Sequence, residues 1–145
     1  EDYIKKYFDR YKGVKVFMEE TIASARKNGY VSTLMGRRRD LPDIDSRNQS
    51  VRQAEERVAI NTPVQGTAAD IIKMAMIQIS SKSQILNTKP VMIMQIHDEL
   101  VFECQKTEIT QVKKMITEIM SGVVELRVPL TVNVSSGPSW GQAKS

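Results

Sequence analysis

The run Val91-Met92-Ile93-Met94-Gln95-Ile96-His97-Asp98-Glu99-Leu100-Val101-Phe102-Glu103 constrains this chain more than any other stretch. Two apolar runs of strand length, rich in branched residues, flank His97-Asp98-Glu99. The gap leaves room for a two-residue turn only. Turns that tight need positive φ, normally supplied by Asn-Gly or Gly-X. This one offers His and Asp, which with Asn are the non-glycine residues that best tolerate that region. Carboxylates placed where glycine would suit the backbone better point to a site that needs charge at the tip. Two acids beside a buried, Met-rich hairpin are costly unless a cation or donor meets them. A divalent metal is the first expectation.

Length and composition bound the rest. The 145 residues suffice for one domain or for part of a larger one, and an apolar fraction of 41% supports a core. No stretch approaches the apolar length of a membrane span, and no secretory leader pattern is present. Cys104 is the single cysteine, so an internal disulfide is excluded and a reducing compartment fits. It reads as a small apolar residue closing a strand. The net charge of +4 permits a nucleic-acid partner without requiring one. Arg37, Arg38 and Arg39 stand together, and Arg47, Arg52 and Arg57 follow closely. The chain begins Glu1-Asp2 in what already reads as helix, so a piece of a longer protein is expected.

Periodicity predicts an α+β chain without repeats or internal linker. Helices are expected over 3–10, 14–27, 51–60 and 64–81, with a further one after an N-cap at Thr107. In the second, Val14, Phe17, Met18, Thr21, Ile22 and Ala25 share a face, and Asn28-Gly29 stops it. Tyr30 to Leu34 and Arg37 to Leu41 read as a hairpin about Met35-Gly36, followed by a polar connection from Pro42 to Ser50. Asn61-Thr62-Pro63 breaks or kinks the helical run, with Thr62, Pro63 and Gln65 in the order of a capping box. Ser80 to Pro90 is a polar link. Val128 to Val134 alternates as a final strand, and the tail around Trp140 is loop.

Three segments together resemble the C-terminal part of a family A DNA polymerase, the bacterial DNA polymerase I type. They are Glu56 to Ile71 (ERVAINTPVQGTAADI), Gln95 to Glu103 (QIHDELVFE) and, more weakly, Gly29 to Ile44 (GYVSTLMGRRRDLPDI). The resemblance implies the end of a fingers subdomain with a β-hairpin over 1–46. It implies a palm subdomain over 47–145, with an antiparallel sheet and packed helices, carrying the catalytic hairpin 91–103. The implied reaction is DNA-directed nucleotidyl transfer from a dNTP to a primer 3′-OH. Asp98 takes the position of the family's metal-binding aspartate and Glu99 that of the neighbouring acid of secondary weight. Two Mg²⁺ ions, replaceable by Mn²⁺, would lie about 4 Å apart and stabilise the attacking and leaving oxygens. The partners implied are primer–template DNA and a dNTP, with a monomeric protein and no membrane. The setting implied is replication or repair, in a bacterial cytoplasm at the nucleoid or in an organelle, not secretion.

Arg57, Asn61 and Gln65 recur at i, i+4 and i+8, so they share one helical face, and all three are donors. Every Watson–Crick pair presents acceptors in the minor groove, so donors there test pair geometry without reading sequence. By resemblance these three contact primer–template, and His97 lies near the primer terminus. Local readings stand beside these: Asn61 and Gln65 as caps at Pro63, and His97 as a packing residue. Arg37, Arg38 and Arg39 are either phosphate contacts or a solvated turn. Gly66 allows close approach of the duplex, or close packing of Ala68 and Ala69 against the hairpin. Asp70 is read as ordering the palm or capping locally, not as binding catalytic metal.

The family's other metal aspartate, on a D-Y-S-x-I-E-L-R-like strand, and its nucleotide-gripping fingers helix do not occur in this sequence. The 145 residues are therefore expected to be inactive alone. One alternative is a non-catalytic duplex-binding module derived from a polymerase. Another is a metal-dependent hydrolase using Asp98, Glu99 and Glu103, which strand geometry disfavours because Glu103 lies too far along. A single-subunit RNA polymerase would share the palm, but the Gln65-Gly66-Thr67-Ala68-Ala69-Asp70 run and the acidic tip favour the DNA enzyme.

Overall fold

The computed structural model describes residues 2–85 and 90–143, so part of the predicted 80–90 link lies outside the described residues. It is an α+β chain of helices and two small antiparallel sheets. Packing divides it into two compact units, Glu1–Ala68 and Ala69–Ser145, each with its own core.

In the first unit, α1 (Asp2–Arg10) and α2 (Lys12–Asn28) part at Tyr11. Gly29 ends α2 at φ 77°, and its N–H donates to the Ala25 carbonyl at 2.8 Å. A side chain would strain that left-handed position, so glycine is the natural stop. Strands β1 (Tyr30–Ser32) and β2 (Arg38–Asp40) pair antiparallel, with Tyr30 opposite Asp40 and Ser32 opposite Arg38. Of the predicted apolar face of α2, only Ala25 is fully buried, packed with Val31, Leu41, Ile44 and Ala59.

Ile44 corrects the expectation that Pro42 to Ser50 is a polar connection, while Leu41, read as the end of the returning strand, lies just past β2 in the core. Leu41 is 1% exposed, and its N–H donates to the Gly29 carbonyl at 2.9 Å. Isolated apolar residues in a polar run carry no period, so pattern alone does not reveal them.

Helix α3 (Gln49–Asn61) starts at Asn48, whose side-chain oxygen accepts from the Ser50 and Val51 amides at 3.0 and 3.4 Å. That satisfies two donors a helix start leaves open. Of the two outcomes expected at Pro63, a break or a kink, the break does not occur. The chain passes through a π-helical segment, Thr62–Gly66, into α4 (Thr67–Ile85). No capping box forms. Thr62 is helical at φ −59° and ψ −46°, and its hydroxyl donates to the Val58 carbonyl at 2.7 Å. Proline lacks an amide donor and crowds the preceding turn. The wider π turn absorbs both without ending the helix.

In the second unit, β3 (Val91–Ile96) and β4 (Glu99–Glu103) form the predicted hairpin. The register runs from Val91 opposite Glu103 to Ile96 opposite Glu99, with a bulge at Ile93. A 3₁₀ turn (Lys106–Glu108) leads into α5 (Ile109–Gly122), so Thr107 lies in that turn and is not the N-cap. Ile79 of α4 packs with Val112, Met115 and Ile116 of α5. Leu100, Phe102 and Cys104 join that cluster, as alternation along β4 requires.

The hairpin is less buried than its composition predicts. Val91 is 58% exposed and Ile93 56%, because β3 pairs with β4 alone among the described strands. The predicted strand at 128–134 is also absent. Leu130, Val132 and Val134 are half-buried between exposed Thr131, Asn133 and Ser135, so the alternation is real, but no ladder partner is present among the described residues. The tail closes with a single turn, α6 (Trp140–Ala143), where loop was expected.

Candidate functional site

The predicted site residues fall into two groups, one in each unit. The first is the donor row. Arg57 and Asn61 lie on α3 and Gln65 in the π segment, all exposed. None of the three makes a side-chain hydrogen bond or ion pair with another described residue. Asn61 therefore does not cap the segment that follows it, and Gln65 caps nothing. Asn61 and Gln65 border an open apolar groove of about 450 Å³, whose walls include Val14, Phe17 and Met18 of α2.

The π segment bears directly on the row. An α-helix of 3.6 residues per turn drifts about 40° every four residues, or roughly 80° from Arg57 to Gln65. A π turn advances less per residue and takes back part of that drift. The three donors are held closer to one line than an unbroken α-helix would hold them.

The β1–β2 turn grips the π segment. The Leu34 amide donates to the Thr67 hydroxyl at 2.9 Å, and that hydroxyl donates to the Pro63 carbonyl. One Arg37 guanidinium nitrogen donates to the Gly66 carbonyl at 3.1 Å. A Cβ on Gly66 would stand 2.6 Å from the Thr33 methyl and 3.3 Å from Arg37. Glycine is therefore required here by the approach of the β1–β2 turn, a partner that the sequence readings of Gly66 did not include.

The arginine triplet separates by role. Arg37 reaches Gly66, Arg38 lies over the Tyr30 ring at 4.5 Å from its centroid, and Arg39 is exposed opposite Val31.

The second group is the hairpin tip. His97 and Asp98 form the two-residue turn, and His97 alone among non-glycine described residues has positive φ, at 52°. Positive φ at the first turn position only is the sign pattern of a type II′ turn, where glycine is the usual occupant. The Gln95 side-chain amide donates to the His97 carbonyl at 3.2 Å and braces the turn. His97, Asp98 and Glu99 are exposed. Adjacent carboxylates are the hard oxygen donors that Mg²⁺ or Mn²⁺ takes, and an exposed tip leaves room for water and phosphate ligands. The pair fits part of such a ligand set. Among the described residues no three His, Cys, Asp or Glu side chains gather as a metal-holding group. Glu103 pairs with Val91 at the far end of the hairpin, which removes the third carboxylate a hydrolase reading needs. Asp70 is buried in the first turn of α4, unlike the exposed tip acids.

Comparison with known proteins gives this fold a class. It superposes on the POL domain of Pol1 from M. smegmatis, a structure in complex with DNA primer–template and dNTP. The TM-score is 0.95 at 43% identity, covering 98% of this chain and 25% of that one. The fold is that of part of a polymerase domain. Residues 1–142 match the model of DNA polymerase family A, and the chain belongs to that family. DNA polymerase I of Bacillus subtilis (strain 168) is 46% identical over 142 residues, 98% of this chain and 16% of that protein. DNA polymerase I of Geobacillus stearothermophilus is 46% identical over 143 residues, 99% of this chain and again 16% of the relative. The chain thus spans about a sixth of the length of these relatives. No described helix is long and apolar enough to cross a membrane.

Proposed function

We propose that this chain is the end of the fingers and most of the palm of a DNA-directed DNA polymerase, which extends a primer 3′-OH with a dNTP on a DNA template. The observation that carries the reading is the row of Arg57, Asn61 and Gln65. Three exposed donors are held near one line by a π segment, with no bond to another described residue. Water can serve any one exposed donor, but a row of three at helical spacing also matches minor-groove acceptors, which every base pair supplies. Membership of family A supports the same assignment.

In this reading Arg57, Asn61 and Gln65 hold the primer–template and test pair geometry. His97 positions the primer end, and Asp98 with Glu99 hold divalent metal by their carboxylate oxygens. Two Mg²⁺ ions, when bound, offset the charge that builds on attacking and leaving oxygens. Asp98 sits on a hairpin rather than a loop, and Leu100 and Phe102 anchor that hairpin beside α4 and α5. Arg39 is the member of the triplet best placed for a phosphate contact, since it is exposed and has no ion pair among the described residues. The 145 residues alone bring the Asp98-Glu99 pair and no further carboxylate to this tip among the described residues, and they are not expected to extend a primer.

The test is primer extension and primer–template affinity measured with the whole polymerase. Gln65→Ala should weaken discrimination against mispaired termini. Unchanged discrimination and unchanged affinity would remove the minor-groove role. Duplex binding that persists without any metal-dependent extension would identify a binding module instead.

A further inference from the structure

We infer that Arg37 and Thr67 are positioning residues for Gln65, and that Arg37 is not a phosphate contact. This rests on the minor-groove reading of Gln65 proposed above. A π turn is a rare conformation and needs support from outside the helix. Here the support brackets Gln65. On one side the Thr67 amide bonds to the Val64 carbonyl, and the Thr67 hydroxyl serves the Pro63 carbonyl while accepting the Leu34 amide at 2.9 Å. On the other, Arg37 holds the Gly66 carbonyl at 3.1 Å. Gly66 lets the turn come this close, since any Cβ would meet the Thr33 methyl at 2.6 Å. Carbonyls flanking Gln65 are thus tied to the β1–β2 turn, and the turn sets the direction in which Gln65 leaves the helix. Loss of either tie should let the segment relax toward α geometry. Gln65 would then drift out of line with Asn61 and Arg57.

The experiment uses the whole polymerase with the variants Arg37→Ala, Thr67→Val, Thr67→Ser, Gln65→Ala and the Arg37→Ala/Gln65→Ala double. Four quantities are read: extension of mispaired relative to matched primer termini, kcat and KM for each, the salt dependence of primer–template affinity, and thermal stability. Arg37→Ala and Thr67→Val should each raise relative mispair extension by roughly tenfold, the middle of the range for residues sharing one network. Thr67→Ser should restore the wild-type ratio. Arg37→Ala should add nothing in the Gln65→Ala background, and the salt slope should not change. A phosphate contact would instead lower that slope by about one and leave the mispair ratio alone, which would overturn the proposal. Additive effects in the double variant, or a fall in stability that slows both termini equally, would overturn it too. Thr67→Val carries no change of charge, so it decides the matter even if Arg37→Ala fails to fold. If Gln65→Ala itself leaves discrimination intact, the minor-groove reading fails and takes this inference with it. If Gln65→Ala loosens discrimination while Arg37→Ala and Thr67→Val do not, only the positioning role is lost.

Discussion

The Thr33 methyl occupies the space into which a side chain at Gly66 would grow: an added Cβ would lie 2.6 Å from it. Thr33 is buried, and its hydroxyl accepts the Arg37 amide at 3.1 Å, so it does not swing aside freely.

Gly66→Ala should therefore destabilise the protein by about 1–3 kcal/mol, the usual cost of overpacking. Thr33→Ser deletes the offending methyl and keeps the hydroxyl, so it should recover part of that loss in the double variant. Chemical denaturation of the two singles and the double checks this. A double variant as unstable as Gly66→Ala alone would show that the clash is not with Thr33.

Asp98→Ala should cut extension by the whole polymerase by more than about a hundredfold, in line with the loss of several kcal/mol of charge stabilisation. Primer–template affinity and thermal stability should change little, because Asp98 is exposed at the turn. Chelation of divalent cations should reproduce the defect in the unaltered enzyme. A mild loss of rate would dissociate Asp98 from the chemistry.

His97 separates folding from function. Its φ of 52° costs a side chain up to about 1–2 kcal/mol that glycine avoids. His97→Gly should leave melting temperature unchanged or raised while lowering extension of primer termini. His97→Val should lower melting temperature, since a β-branched residue tolerates positive φ poorly. Full activity in His97→Gly would reduce His97 to a turn residue.

Two isoleucines two residues apart on α4, and so on opposite sides of it, should behave oppositely. Ile79 is 1% exposed, and Ile79→Ala should cost about 2–5 kcal/mol. Ile77 is 66% exposed, and Ile77→Ala should stay within about 0.5 kcal/mol. Denaturation of the two variants compares them directly. Equal losses would mean that Ile79 does not sit in the α4–α5 core.

Local chemistry made much of this protein legible in advance. The Asn28-Gly29 stop, the two-residue turn at His97-Asp98 and the presence of a helix after the hairpin all follow from short-range rules of φ, capping and period. The motifs around Gln65 and Asp98 point to the family because their polar residues are dense and their spacing is tight.

Other features depend on partners distant in sequence, and only the tertiary structure decided them. Leu41 and Ile44 are core because Ala25, Val31 and Ala59 meet them, not because of any pattern of their own. The alternating run at 128–134 has the period of a strand, yet a strand needs a neighbouring backbone, and none pairs with it among the described residues. Pro63 read as a break or a kink, because proline lacks an amide donor and crowds the turn before it. The helix continues through a π turn whose flanking carbonyls are held by Arg37 and Thr67, with the β1–β2 turn pressed against Gly66. A residue's own φ preference, charge and hydrophobicity travel with the sequence. Which conformation survives when two preferences conflict is settled by the contacts that folding brings together.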